Sequence, residues 1–144
     1  MIGPAEADLC SKHPHLNREQ RAQRAKVDQP LVRPDSLPLS LDVASLRDER
    51  QLRFYFPVPD PEPFYATKPA SYIANLLGHE GKGSLLEQLR EAGLADGLSA
   101  GVSRGDGTHA LFSVGISLTP KGAQQIPSIQ ASLFAAIDEI RQQG

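Results

Sequence analysis

The sequence predicts an α+β domain whose antiparallel sheet is covered by helices on one face. Segments 39–44, 52–58 and 110–118 alternate apolar and polar residues, which is the period of a half-buried strand. Segments 69–77 and 126–142 instead repeat apolar residues at helical spacing. Because the predicted strands come in adjacent pairs that single helices do not separate, a doubly wound parallel sheet is disfavoured.

Length and composition limit the classes of function open to the chain. Its 144 residues, 40% of them hydrophobic, fit one compact domain. The net charge of -2 gives no basic field for nucleic acid or an anionic membrane surface, so neither is an expected partner. No apolar run approaches the roughly 20 residues of a membrane-spanning helix, and no signal segment follows Met1. We therefore expect a soluble protein, with bacterial periplasm and cytoplasm both left open.

Residues 1–38 are polar and interrupted by prolines, and they are predicted to form an arm or linker before a domain over 39–144. Cys10, His13 and His15 lie close together in this arm and are ligand types that suit zinc or copper. The polar, proline-containing surroundings favour a chance cluster. Cys10 is the single cysteine, which excludes an intrachain disulfide and any zinc site needing two thiolates from this chain.

The first two strands are predicted to form a hairpin. Segment 39–44 places leucine and valine at alternate positions, and 52–58 does the same with larger apolar residues. The charged stretch 47–50 between them is a suitable turn. The prolines at 57, 59, 61 and 63 are expected to end the second strand, because proline lacks the N–H group that a sheet ladder needs.

Two helices are predicted after this hairpin. Pro69 suits a first helical turn, and the spacing of apolar residues predicts a helix over 69–77. Ser84 and Glu87 have the spacing of a capping box, which predicts the start of a second helix over 84–92.

A second hairpin and a last helix complete the predicted order. Segment 94–105 is rich in small residues and is interpreted as a strand, joined by a glycine-containing turn to 110–118. The apolar stripe over 126–142 predicts the last helix. Pro127 is expected either to kink this helix or to mark its start.

His79 and Glu80 begin like the zinc motif H-E-x-x-H, in which two histidines one helical turn apart ligate the metal. Gly83 occupies the place of the second histidine, and the inverted order H-x-x-E-H fails as well. A turn between two helices is the preferred interpretation, and no metal ligand is predicted here.

Two glycine-rich stretches imitate nucleotide-binding loops. In the first, Gly83 separates Lys82 from Ser84, whereas a phosphate-binding loop has glycine, lysine and serine or threonine in direct succession after a strand. The second, 105–110, leads into a strand pattern, so a pyrophosphate would meet no helix N-terminus. Nucleotide binding is therefore not predicted.

Three stretches carry a resemblance to a known family. Residues 56–60 are FPVPD, residues 72–86 are YIANLLGHEGKGSLL, and residues 117–122 are SLTPKG. Together they resemble the pitrilysin/insulysin, or insulinase, family of zinc metallopeptidases. The resemblance covers 39–144, and it implies the α+β fold of one domain from a metallopeptidase half.

In this family each half of the enzyme has two related α+β domains, and the chain is similar to the second, non-catalytic one. The first bears the H-x-x-E-H motif and a distal glutamate as zinc ligands, none of which is present here. The resemblance implies that the parent is a zinc metallopeptidase and that this chain has no catalytic residue, no metal ligand and no cofactor of its own, so it is inactive alone. The implied partners are peptide substrates and the zinc-bearing domain of the same or a partner chain.

In insulysin-like members the second domain also carries an exosite, which pairs with the amino-terminal part of a peptide substrate through a sheet-edge strand. A glycine-bearing strand lets another backbone come close, and a glutamate beside a glycine-rich loop can receive a peptide's amino terminus. Asn75 and Ala100 depart from the insulysin pattern in this region. The matching positions, which the resemblance makes candidate substrate-binding residues, are Gly78, Glu80, Leu98 and Gly101.

The leading hypothesis is an inactive chamber-wall and substrate-contact domain of an insulinase-type zinc metalloendopeptidase, with peptide degradation carried out by the parent. The alternative is a stand-alone peptide-binding or assembly module without catalysis. A partner chain that carries H-x-x-E-H would favour the first hypothesis, and expression of the chain alone from a complete gene would favour the second.

Overall fold

The computed structural model describes residues 29, 32–46, 48–103, 105 and 107–143. Its strands are β1 (Gln51–Pro59), β2 (Ala95–Val102) and β3 (His109–Leu118). Its α-helices are α1 (Pro69–Leu77), α2 (Leu85–Glu91) and α3 (Ile126–Gln143). The cluster of Cys10, His13 and His15 and most of the predicted arm lie outside the described residues, so both stay predictions.

The strands form an antiparallel sheet with β3 in the centre and β1 and β2 at its edges. β1 pairs with β3 along its whole length, from Gln51 opposite Ser117 to Pro59 opposite His109. β2 and β3 are consecutive along the chain and pair directly, which confirms the second predicted hairpin. The antiparallel α+β class is therefore confirmed.

One face of the sheet carries the core. Alternate residues of β3 are buried in it: Ala110, Phe112, Val114, Ile116 and Leu118. Ile129 and Leu133 of α3 are fully buried in the same cluster. Phe134 of α3 meets Phe54 and Phe56 of β1 edge to face, with ring centroids 6.3 Å apart in both pairs. The helices pack on this face, as the three apolar stripes predicted.

Segment 39–44, predicted as the first strand, is irregular in the structure. Its apolar side chains are exposed, with exposed fractions of 66% for Leu39 and 84% for Val43. Alternation shows which side chains would share a face, but a strand also needs an edge that accepts its backbone hydrogen bonds. The prediction of a first hairpin is therefore wrong. The two predicted hairpins would give a sheet of four strands, whereas the described residues form a sheet of three.

Pro57 lies inside β1, which corrects the prediction that it ends this strand, and Pro59 is the last residue of β1, as predicted. The Leu118 N–H donates to the Arg50 carbonyl, and in an antiparallel pair every second residue bonds to the partner strand. Even-numbered residues of β1 therefore bond to β3, and odd-numbered residues, including both prolines, face outward. Proline is tolerated there because no ladder donor is lost, and the missing donors also disfavour a fourth strand on this edge.

The helices begin and end close to the predicted residues, because the signals that define them are local. α1 covers 69–77 as predicted, and α2 lacks only the first and last predicted residues. Ser84 accepts the Glu87 N–H at 3.1 Å, as the capping box predicted. Pro127 is the second residue of α3, so it marks the start of the helix. No helix in the described part of the chain is long and apolar enough to cross a membrane.

Candidate functional site

The loop between α1 and α2 is shaped by its glycines and by two side chains. The Gly81 N–H donates to Nδ1 of His79 at 3.0 Å, and a Cβ atom on Gly81 would collide with the imidazole. The Gly83 N–H donates to the Glu87 carboxylate, and Gly83 has a φ of 79°, which favours glycine. His79 thus helps to form a turn between two helices, as the sequence predicts.

β2 is an edge strand, so one side of its backbone does not face β3. The Ser103 N–H donates to the Leu111 carbonyl at 2.8 Å just beyond the strand, and in an antiparallel ladder every second pair bonds in this way. The odd-numbered residues of β2, Gly101 among them, therefore bond to β3. The outward-facing backbone groups of β2 belong to Leu98, Ala100 and Val102.

The loop and the strand edge lie next to each other. A Cβ atom built on Gly78 would lie 3.9 Å from the backbone nitrogen of Ala100, so the end of α1 approaches an outward-facing amide. Nη1 of Arg90 lies 3.7 Å from Oε2 of Glu80. Nε and Nη2 of Arg90 donate to the Asp96 carbonyl of β2, at 3.2 and 2.9 Å. The structure thus brings together the loop and the strand that the family resemblance had matched separately.

The four predicted site residues differ in whether they lie in the loop or in β2 and in which way their backbone groups face. Gly78 lies beside the edge of β2, and the Glu80 side chain is 67% exposed in the loop. The backbone N–H and C=O groups of Leu98 face outward, and its side chain packs against the core. Gly101 is opposite Ser113 and bonds to β3, so its own backbone groups are turned away from the outer edge.

Sequence reasoning missed two residues of this region. Ala100 has the outward-facing amide closest to the loop, but only the register with β3 reveals the direction of that amide. Arg90 contacts both the loop and β2. The sequence shows it only as a cation in the last turn of a helix, which is a common feature and does not indicate a binding site.

The sheet face opposite the helices is polar and open. A shallow cavity of about 380 Å³ lies over it, with Gln51, Arg53 and Tyr55 of β1 along one side. Its floor is formed by small residues of the other two strands: Gly97, Ser99, Ser113, Gly115 and Ser117. Arg53 donates to Oε1 of Gln51 through Nε at 3.0 Å and Nη2 at 2.6 Å. This face is distinct from the outer edge of β2, although Leu98 borders both.

The stretch 117–122 stabilises the fold. Oγ1 of Thr119 donates to the Gly93 carbonyl at 2.7 Å and accepts the Gly122 N–H at 2.9 Å. A Cβ atom on Gly122 would overlap the carbonyl oxygen of Leu94. This connection fixes the turn after α2 against the segment that leads into α3.

A catalytic zinc needs three protein ligands and an open position. Among the described residues, no three His, Cys, Asp or Glu side chains come close enough to hold a metal ion. Nδ1 of His79 already accepts the Gly81 amide. These residues do not fit the zinc implied for the parent, and no step through zinc is derived for this chain. The absence of a cofactor from the whole chain stays a prediction.

The chain is similar to curated relatives over most of its own length and over a small part of theirs. It is 35% identical to the A-factor-processing enzyme of Saccharomyces cerevisiae over 116 residues, which are 78% of this chain and 11% of that protein. It is 31% identical to the insulin-degrading enzyme of Drosophila melanogaster over 102 residues, which are 71% of this chain and 10% of that protein. The chain thus spans about a tenth of the length of these relatives.

The fold is also similar to that in a crystal structure of pitrilysin. The TM-score is 0.64 at 26% sequence identity, and the match covers 67% of this chain and 10% of pitrilysin. The family profile described as the peptidase M16 inactive domain matches residues 8–144, and so it reaches into the segment predicted as an arm. The chain therefore belongs to the M16, or insulinase, family of zinc metallopeptidases, as an inactive domain of that family.

Proposed function

We propose that the chain is a chamber-wall and substrate-contact domain of an insulinase-type zinc metalloendopeptidase, and that it binds peptides along the outer edge of β2. The observation that carries the proposal is the approach of Gly78 to the outward-facing amide of Ala100 at a sheet edge. The names of the relatives, an A-factor-processing enzyme and insulin-degrading enzymes, agree with a peptide or small protein as substrate.

The addition of a peptide strand fits the geometry of this edge. Leu98, Ala100 and Val102 present N–H and C=O groups at the two-residue spacing that an added strand requires. Gly78 has no side chain to cover the Ala100 amide. Because main-chain hydrogen bonds do not read side chains, such an edge would accept many sequences, as a peptidase of broad specificity requires.

Glu80 supplies a negative charge beside the same edge. Its exposed carboxylate is connected to the start of β2 through Arg90, which contacts both Glu80 and the Asp96 carbonyl. A free peptide amino terminus can form a charge-assisted hydrogen bond with this carboxylate, whereas an acetylated terminus cannot. The site would therefore favour free amino termini. The chain would contribute binding, while hydrolysis would take place on the zinc-bearing domain.

The alternative, a stand-alone peptide-binding or assembly module, would use the same edge without a parent enzyme. Membership of a metallopeptidase family supports the first hypothesis. No observation on the described residues favours the second, so the substrate-contact role is the conclusion we propose.

Ala100→Pro is expected to weaken peptide binding about tenfold or more, because proline removes the outward-facing donor in the middle of the edge. The wild-type dissociation constant is expected to be high micromolar or weaker, roughly 10⁻⁴ M, since ordering a flexible peptide offsets most of what a short strand pairing contributes. NMR titration of the full chain with labelled peptides measures both values. The lost N–H is not part of the ladder, as at the outward prolines of β1, but Ala100 packs against the core, so the Tm of the variant is measured alongside binding.

Arg53→Ala is the control for this measurement, because Arg53 lies on β1 at the far side of the sheet. It should leave binding nearly unchanged. Gly101→Pro should also weaken binding, but it removes a donor to β3 and thus damages the sheet itself. Equal losses in Ala100→Pro and Arg53→Ala, or shift changes confined to the open sheet face, would contradict edge binding.

Glu80→Gln is expected to weaken the binding of peptides with a free amino terminus by about two- to fivefold, which is the range of an exposed ion pair. Acetylated versions of the same peptides should bind the variant and the wild type equally. Parallel titrations of free and acetylated peptides measure the difference. A similar loss for both kinds of peptide would show that Glu80 does not receive the amino terminus.

A further inference from the structure

The guanidinium of Arg90 connects the two parts of the proposed peptide site. Arg90 lies in the last turn of α2, and its side chain is 46% exposed. Nε and Nη2 donate to the Asp96 carbonyl at 3.2 and 2.9 Å, while Nη1 lies 3.7 Å from Oε2 of Glu80. One side chain therefore contacts both the carboxylate of the loop and the backbone at the start of the edge strand.

The Asp96 carbonyl lies at an irregular point of β2. The register with β3 shifts between Ala95 and Gly97, so Asp96 is the extra residue of a bulge. A slip of one residue would exchange the two faces of the strand and the direction of its backbone groups. By holding the Asp96 carbonyl with two donors, Arg90 helps to fix the register that turns the Ala100 amide outward.

The contact of Arg90 with Glu80 acts on the charge of the site. The two side chains form an exposed ion pair, which is weak and can be displaced. The amino terminus of a bound peptide would compete with Arg90 for the Glu80 carboxylate. Arg90 can release Glu80 without leaving its place, because its other two donors stay on the Asp96 carbonyl.

We infer that Arg90 is a positioning residue of the peptide site, which fixes the register of β2 and lowers the attraction of Glu80 for a peptide amino terminus. This inference rests on the proposed function. Lysine could replace the charge beside Glu80, but its single ammonium group cannot reproduce the two-donor contact of the guanidinium. The two parts of the role can therefore be separated by substitution.

The experiment compares wild type, Arg90→Gln and Arg90→Lys as full chains. Each is titrated by NMR with one six-residue peptide of alternating valine and serine, in free and amino-acetylated forms. Arg90→Gln should raise the preference for the free form about threefold, because Glu80 loses its competitor. Arg90→Lys should keep the wild-type preference. Both variants should bind the acetylated form about two- to threefold more weakly, and the amides of Gly97 and Ser99, which face β3, should exchange hydrogen faster.

Arg141→Gln is the matched control, since Arg141 is likewise an exposed arginine in the last turn of a helix. It should change neither peptide preference nor hydrogen exchange in β2. The inference is overturned if Arg90→Gln behaves like Arg141→Gln in both measurements. If the wild type binds neither peptide, that result contradicts the proposed function but not the role of Arg90 in β2. The hydrogen exchange of the β2 amides then tests separately whether Arg90 fixes the register of β2. Unchanged exchange in both Arg90 variants would show that it does not.

Discussion

Replacing Gly122 by alanine is expected to lower the free energy of unfolding by about 3 kcal/mol or more. Gly122 is buried, and a Cβ atom there would overlap the Leu94 carbonyl oxygen and lie 2.8 Å from the carbonyl carbon. These are backbone atoms, which no side-chain rotation can move aside. A shift of Leu94 would disturb its bond from the Thr119 N–H, and a shift of Gly122 would disturb its bond to the Thr119 hydroxyl. Thermal unfolding should show a fall in Tm of roughly 10 °C or more.

Gly97→Ala is the matched control, because it adds the same methyl group to a glycine of β2. Its Cβ atom would lie 3.8 Å from Oγ of Ser117, an ordinary contact distance. The control should change the free energy of unfolding by less than about 1 kcal/mol. If Gly122→Ala and Gly97→Ala have the same Tm, then crowding against Leu94 is not the reason for glycine at 122.

The three stretches that carry the family resemblance have different roles in the structure. Residues 117–122 join the turn after α2 to the segment that leads into α3, and residues 56–60 end β1 at a buried aspartate. Only 72–86 contributes the loop that approaches the edge of β2. Two of the three stretches thus reflect the requirements of the fold, and a motif match alone would overstate the size of the functional site.

Helices and the central strand could be predicted because their signals are contained in the segments themselves. The capping box at Ser84 and the proline at the start of α1 set helix starts within one residue. β3 alternates cleanly because one of its faces is buried along its whole length. These features depend on the local sequence and on a single buried face.

The edges of the sheet could not be predicted in the same way. Segment 39–44 has the alternation of a strand, but whether it pairs depends on donors that another part of the chain provides. Whether Pro57 interrupts or continues β1 depends on which side of the strand faces β3. Both answers follow from tertiary pairing, which the pattern of a segment does not contain.

The same limit applies to the candidate site. Gly78 and Glu80 entered through family resemblance, and the structure places their loop at the edge of β2. Gly101 is likewise a position that matches the family, but the register gives the outward-facing amide to Ala100. Arg90 reaches Glu80 and Asp96 only because α2 packs beside the start of β2.

Asp60→Ala is expected to lower the free energy of unfolding by about 3 kcal/mol. Asp60 is 5% exposed, and its carboxylate accepts the Glu62 N–H at 2.7 Å and the Gly107 N–H at 2.6 Å. Alanine would remove two hydrogen bonds to a charged acceptor, each of which contributes about 1.5–3 kcal/mol. Water offsets part of this loss, because Glu62 and Gly107 are themselves exposed. Urea unfolding of the full chain measures the change.

Asp42→Ala provides the comparison, because Asp42 is an exposed aspartate in an irregular segment, and its loss should cost less than about 0.5 kcal/mol.

Asp60→Asn should be nearly as damaging as Asp60→Ala, since the amide keeps one acceptor oxygen but turns an NH₂ group toward the other backbone donor. The carboxylate also joins the end of β1 to the β2–β3 turn, so Gly107 should lose protection from hydrogen exchange in both Asp60 variants. If Asp60→Asn is as stable as wild type, one acceptor is enough. Asp60 would then owe its burial to packing against Gly105, where a Cβ atom would collide with the carboxylate.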